Sequence, residues 1–522
     1  MNDYRRALRV YPNAMTDANP KKSEADGYRT IFKSSSVLGG SQGITYLLGV
    51  IRTKALAYLL GPSGIGLLSL YSSIVGTVGT LTAMGIGESA VREVAVAHGS
   101  GDPERLYRIA KITRRACFVT GLFGMILCVV LASPLSTYSF GTNEYALAIA
   151  ILGLTLLLGS ITRAEMSLIQ GTGRFMDLAR MNIVTSALGF LPIVLIYMWW
   201  KESGIVPALL LSSIITLGVI YYYSRKVNIR DVYVSWRETF TGTRLLLALG
   251  VAFMFTGLVA AGKDMTVRSM ITRSHGIEAT GIFQSAWMIS GLFVNFVLNA
   301  MGLDFYPRLT AMKDDRPLMV RTVNQQIEIG ILLALPGVVA TITCAPMVIL
   351  ILYTSKFYAA SNLLAVFSCG VFFKVISYPL NTIQLAMGDA RGFATIGILF
   401  AIFEGGLTIL LLWGYGLIGA AMAYPLACIL HVLVMAWVGR SSIGHRFNKN
   451  CAVLSIIAAL FIICGLLIAF LMNGYAALGC GLVLSSVSAL YCVRELAKRL
   501  GHEHRIIRAI TKLPAMSFLL PE

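Results

Sequence analysis

Apolar runs long enough to cross a lipid bilayer recur along nearly the whole of this sequence and leave no room for a soluble domain of ordinary size. A hydrocarbon core about 30 Å thick takes roughly 20 apolar residues per helical crossing. The expected fold class is therefore all-α integral membrane, with about 14 spans. We read them at 32–60, 64–91, 109–133, 145–170, 178–200, 204–224, 245–272, 279–306, 322–353, 359–387, 391–413, 416–438, 450–472 and 475–493. Composition agrees: 56% of the residues are hydrophobic, only 13% are charged and the mean hydropathy is +0.74. A soluble chain of 522 residues would carry more charge on its surface. The first thirty or so residues are polar and include Arg5, Arg6, Arg9, Lys21 and Lys22. No apolar segment with a small-residue cleavage site follows them closely, so no cleaved signal peptide is expected.

Charge sets the expected orientation. Counting charges at span ends with the adjoining loops, 34 of the 43 Lys and Arg fall in the two termini and the even-numbered loops. The opposite loops hold three, Lys201, Arg273 and Lys356, and six lie within spans. Basic loops stay on the cytoplasmic side, so both termini are expected there. The same bias accounts for the net charge of +18 without nucleic-acid binding.

The chain also repeats itself. Gly61 matches Gly276, Gly66 matches Gly281, Ile74 matches Ile289 and Gly76 matches Gly291, all at an offset of 215. Ala83-Met84-Gly85 matches Ala300-Met301-Gly302 at 217, and Gly171 and Arg174 match Gly388 and Arg391 at the same offset. Six spans separate equivalent positions, so the copies share one orientation and an axis along the membrane normal. The expected organisation is a cytoplasmic segment (1–31), a first six-helix bundle (32–224), a cytoplasmic linker (225–244) and a second six-helix bundle (245–438). Two additional helices (439–493) and a basic cytoplasmic tail (494–522) follow, and the two helices read as an appendage outside the repeat. A substrate site is expected between the bundles.

Six cations within spans are candidates for it: Arg52, Lys54, Arg163, Lys263, Arg268 and Lys374. Each costs roughly 3 kcal/mol or more at a helix centre on insertion scales. Lys54, Lys263 and Arg163 could also reach the headgroups from span ends. Arg52 and Arg268 sit on the first span of each half. The first span is the least apolar, with Ser34, Ser35, Ser36 and Gln42 ahead of Arg52 and Lys54. It must face protein or water. The obvious internal partners are Asp264, Glu165 and Glu404, and Asp264 could pair with Arg268 one turn away. An excess of positive charge remains, and guanidinium suits phosphate oxygens. Glu88, Arg92 and Glu93 at the inner end of the second span, and Asp304 and Arg308 at that of the eighth, read as a gate or as interfacial ion pairs. Glu404 is a candidate ion-coupling site with Lys374 as partner, or a protonated glutamate within a bundle.

Other chemistry is sparse. The nine cysteines (Cys117, Cys128, Cys344, Cys369, Cys428, Cys451, Cys464, Cys480 and Cys492) form no C-x-x-C pair and read as small buried hydrophobes. His431 reads as a packed residue. Gly-x-Gly at 64–66 and Gly-Thr-Gly at 171–173 lack a flanking strand. No P-loop, nucleophile elbow or H-E-x-x-H is present, so neither a cofactor, a metal nor an enzymatic activity is expected.

The stretch Leu59-Leu60-Gly61-Pro62-Ser63-Gly64-Ile65-Gly66-Leu67, then Met84-Gly85-Ile86 and the basic segment from Asp102 to Arg115, resembles the start of Wzx-type polysaccharide flippases. Thr280-Gly281-Ile282-Phe283-Gln284 and Tyr306-Pro307-Arg308-Leu309 do so too. These flippases belong to the multidrug/oligosaccharidyl-lipid/polysaccharide exporter superfamily, and the similarity covers about residues 30–440. Within the superfamily the chain looks most like flippases of O-antigen and enterobacterial common antigen. The resemblance implies a polyprenyl-diphosphate-linked glycan, moved from the inner to the outer leaflet by alternating access. Membrane lipids, a polysaccharide polymerase and chain-length proteins are the partners it implies. Many such flippases have twelve spans, and fourteen is better known in the related lipid II flippases. A cation-coupled multidrug antiporter and a lipid II flippase are the alternatives within the superfamily. A membrane glycosyltransferase would need a larger outer loop or an acidic metal motif.

Overall fold

The computed structural model describes residues 20–472 and 474–500. The segment before residue 20 and the tail from residue 501 lie outside the described residues. All regular structure among the described residues is helical. The α-helices are α1 (Pro20–Ala83), α2 (Ile86–Gly99), α3 (Pro103–Val130), α4 (Ala132–Phe140), α5 (Ala146–Gly171), α6 (Phe175–Trp200) and α7 (Ile205–Ser224). They continue with α8 (Trp236–Ala311), α9 (Arg316–Thr343), α10 (Ala345–Leu352), α11 (Ala360–Ala386), α12 (Ala390–Ile443), α13 (Lys449–Leu471) and α14 (Gly474–Leu500). Nine stretches among the described residues are long and apolar enough to cross a membrane. Two of these, of 53 and 54 residues, are interrupted midway, at Lys201 (φ 45°) and at Gly416 (φ 63°). This is an all-α integral membrane fold.

Two compact units divide the chain: Met1–Leu60 with Leu67–Met265, and Gly61–Gly66 with Thr266–Glu522. In unit 1, α5 is central and packs along α2, α3 and α7. In unit 2, α9 holds that place and packs along α11, α13 and α14.

The glycines of the repeat explain the breaks. Helix α1 turns at Gly61 (φ 66°, ψ −171°) and α8 turns at Gly276 (φ 88°, ψ 168°), a conformation that side-chain-bearing residues avoid. Gly66 and Gly281 then bring their backbones together inside unit 2, where a Cβ on either would strike the other turn. Helices in lipid gain little from apolar burial against one another, so contacts of this closeness hold them.

The two halves share more than glycines. Asp102 caps α3, accepting from the Glu104 and Arg105 amides at 3.0 and 3.2 Å, with Pro103 in the first turn. Asp315 caps α9 in the same way through the Leu318 amide at 3.0 Å, with Pro317 in its first turn. Short helices, α4 and α10, follow each long one.

Two of the sequence matches are corrected. The left-handed glycine after α5 is Gly173 (φ 69°) and that after α11 is Gly388 (φ 78°). The structural partner of Gly388 is therefore Gly173, at the offset of 215, and not Gly171. The second expected span ends early, because α1 stops at Ala83 before the left-handed Met84 and Gly85. Helix α8 runs without a break through Ala300–Gly302, so that match is one of residue type only.

Candidate anion-binding site

Unit 1 holds Arg52, Lys54, Glu88, Arg163, Lys263 and Asp264, and unit 2 holds Arg268, Asp304, Lys374 and Glu404.

In unit 1 the decisive helix is α5. Residues two apart on a helix point to nearly opposite sides, and Arg163 and Glu165 do so. Glu165 is buried and receives a bidentate grip from Arg114 on α3, with Nε to Oε1 at 2.7 Å and an η-nitrogen to Oε2 at 2.8 Å. The partner expected for the intramembrane cations is thus spent on Arg114. Arg163 itself is exposed, and among the described residues it has no hydrogen bond or ion pair. Its side chain runs over Gly79 of α1 and Gly87 of α2. A Cβ at either position would lie in ordinary van der Waals contact with it, 3.7–3.9 Å away. Glu88, adjacent to Gly87, is exposed, and it and Arg163 both act electrostatically on the Cys117 thiol.

Arg52 is half-buried on α1, acts electrostatically on the Tyr197 hydroxyl of α6, and likewise has no acid partner among the described residues. Lys263 pairs with its neighbour Asp264 at 3.2 Å, so both charges are engaged locally. Lys54 is half-buried on the same helix as Arg52.

In unit 2, Arg268 donates from Nε to Gln284 Oε1 at 2.9 Å, across the Gly276 break of α8. Sequence reasoning missed Gln284 as its partner. Lys374 of α11 lies with Nζ 5.9 Å from the centroid of the Phe400 ring, a cation–π contact. Phe400 is one turn before Glu404 on α12, and its ring lies 4.5 Å from that of His431. Lys374 also acts electrostatically on Cys428 and His431, and Glu404 on Cys428 and Tyr424. Asp304 lies on α8, and its side chain is outside the described ones.

A second buried carboxylate was missed altogether. Glu328 of α9 accepts from Arg499 Nε at 2.8 Å and from Asn448 Nδ2 at 3.0 Å. Both ion pairs had one signal available: an acid deep in an apolar helix needs a cation. Choosing that cation required the fold.

The basic segment of α3 also fastens the linker. Lys111 reaches Asp231 at 2.6 Å and the Val232 carbonyl at 2.7 Å, and Arg115 reaches the Val234 carbonyl at 2.8 Å. Asp231 lies outside the spans, and the hydrogen bond from Lys111 holds its carboxyl below the usual range.

Long apolar helices, several of them broken midway, with cationic side chains along them define a multi-pass membrane protein. The profile of the family described as polysaccharide biosynthesis protein matches residues 31–313, more than half of the chain, and the chain belongs to that family. A protein of Shigella flexneri named "Putative O-antigen transporter" is 22% identical over 403 residues, covering 76% of this chain and 94% of its own length. The "Lipid III flippase" of Escherichia coli (strain K12) is 21% identical over 397 residues, covering 73% and 92%. The structure of the lipid II flippase MurJ in an inward closed conformation superposes with a TM-score of 0.69 at 15% identity, over 89% of this chain and 99% of that one. That last likeness shows the fold. The family and the names of these relatives agree with the resemblance to Wzx-type flippases.

Proposed function

We propose that this protein carries a polyprenyl-diphosphate-linked oligosaccharide, an O-antigen or related repeat unit, from the cytoplasmic to the periplasmic leaflet by alternating access of its two halves. The names of the Shigella and Escherichia relatives support the substrate class. The observation that carries the reading is Arg163, an exposed guanidinium within a spanning helix whose neighbouring acid in sequence, Glu165, is held by Arg114. An uncompensated cation there is costly unless it meets water or an anionic ligand. Arg163 and Arg52 are the proposed diphosphate ligands of unit 1, and Arg268 and Lys374 those of unit 2. Lys54 and Lys263 add to the positive field. The bidentate fork of arginine fits phosphate oxygens. A cationic drug would be repelled by the same groups. Asp264, Glu88, Asp304 and Glu404 serve ion coupling or gating.

Reconstitution with a fluorescent undecaprenyl-diphosphate oligosaccharide and leaflet-specific quenching tests this. Arg163→Ala should lower the flipping rate by at least about tenfold, the worth of one charged hydrogen bond, with insertion and abundance unchanged. Arg163→Lys should recover part of it. Arg52→Ala and Arg268→Ala should behave alike. Normal transport by all three alanine variants would overturn the cationic site.

A further inference from the structure

The first turns of α8, in unit 1, carry an outward face on which none of the candidate transport residues lies. Trp236 and Phe240 are 68% and 77% exposed, and Arg237 and Arg244 are exposed beside them. At about 3.6 residues per turn, these four side chains share roughly a third of the helix circumference. The other side is inward, with Thr239 and Leu246 buried. Large aromatic side chains left in water forgo the gain of burial.

The face is fixed and its charge is one-sided. Lys111 holds the Val232 carbonyl, Arg115 holds the Val234 carbonyl, and the Arg115 guanidinium lies 4.8 Å from the centroid of the Trp236 ring. The acids of the segment are already engaged. Asp231 pairs with Lys111, and Glu238 accepts from the Ser235 amide at 2.9 Å and lies 3.8 Å from Arg108. The guanidinium groups of Arg237 and Arg244 have no hydrogen bond or ion pair among the described residues.

The sequence gives the face its depth. Arg244 is the last charge before the apolar run 245–255, so it marks the edge of the hydrocarbon. Phe240 lies one turn back, about 6 Å along the axis, within a headgroup layer about 5–7 Å deep. Trp236 is one turn further out. An acidic protein would also suit arginine, but α8 passes from this face straight into the apolar run, which sets bilayer phosphates beside it.

We propose that this face lies on the bilayer and binds the phosphates of anionic glycerophospholipids. Arg237 and Arg244 each fork a phosphate, and Phe240 enters the headgroup layer between them.

The test uses full-length protein in nanodiscs and hydrogen–deuterium exchange. One nanodisc is phosphatidylcholine, and the other replaces half of it with phosphatidylglycerol of identical chains. In the wild type, amides of residues 236–244 should exchange at least about fivefold more slowly with phosphatidylglycerol, the worth of one arginine at an anionic surface. The connection 141–145, which has no basic residue, should exchange alike in both. Salt at about 1 M, where the screening length is about 3 Å, should erase the difference. The double variant Arg237→Gln, Arg244→Gln should exchange at the faster rate in both nanodiscs. Equal exchange of 236–244 by the wild-type protein in the two nanodiscs would overturn the proposal, whether or not the variant folds, and would leave the face to an acidic protein. Slowing by a trace of undecaprenyl phosphate but not by phosphatidylglycerol would also overturn it and assign the face to polyprenyl lipids.

Discussion

His445 sits in the turn between α12 and α13, outside the spans, 2% exposed, with its ring edge-on to Phe447 at 5.2 Å. Its Nε2 has no partner, and burial lowers its pKa to about 4. The unfolded chain would titrate the same ring near 6.5. Above pH 6.5 neither state is charged and the residue contributes no pH dependence. As pH falls from 6.5 towards 4, the unfolded chain takes up a proton that the folded one refuses, and stability declines. The full loss is about 3 kcal/mol by pH 4. Thermal unfolding of the detergent-solubilised protein should therefore show a midpoint that drops over this window. His445→Gln, which cannot titrate, should flatten the drop. Identical slopes for the two proteins would assign the acid sensitivity elsewhere.

At the scale of elements, α13 and α14 follow the repeat in sequence but are not an appendage in packing. Both lie against α9. Glu328 of α9, 8% exposed at its side chain, joins Arg499 of α14 to Asn448 at the start of α13. Arg499 also holds Glu495 at 2.7 Å, and Asn324 of α9 donates to the Arg446 carbonyl at 2.9 Å. Arg499→Ala would leave the Glu328 carboxylate buried without its cation, a loss of about 3–5 kcal/mol. Adding Glu328→Gln should restore part of it. An Arg499→Ala protein that unfolds at the wild-type midpoint would show the pair to be dispensable. The sequence made helix existence and nearly every break legible, because the apolar runs are long and glycine at 61, 276 and 416 permits a turn that other residues resist. It did not reveal which acid meets which base. Glu165 has Arg163 two residues away, yet turns to Arg114, which is 51 positions distant. Helical phase excludes the near partner, but only the packing of α3 on α5 names the far one.

For the whole molecule, orientation rests on charge. The family and the helical fold establish a multi-pass membrane protein, and the basic residues propose its sidedness. Arg92, Arg105, Arg108, Lys111, Arg114 and Arg115 cluster around the α2–α3 connection, and Arg225, Lys226, Arg230, Arg237 and Arg244 around the α7–α8 linker. In unit 1 these two clusters lie together, because Lys111 and Arg115 bind the linker backbone. The connection between α4 and α5, at the other end of α3 and α5, carries Glu144 and no basic residue from Gly141 to Tyr145. Retention of basic loops on the cytoplasmic side during insertion then puts α2–α3 and α7–α8 inside and α4–α5 outside. A reporter active only in the periplasm should give no signal when fused after Glu522 and a strong one when inserted at Thr142. A strong signal from the fusion after Glu522 would invert the topology, and with it the leaflet from which the substrate is taken.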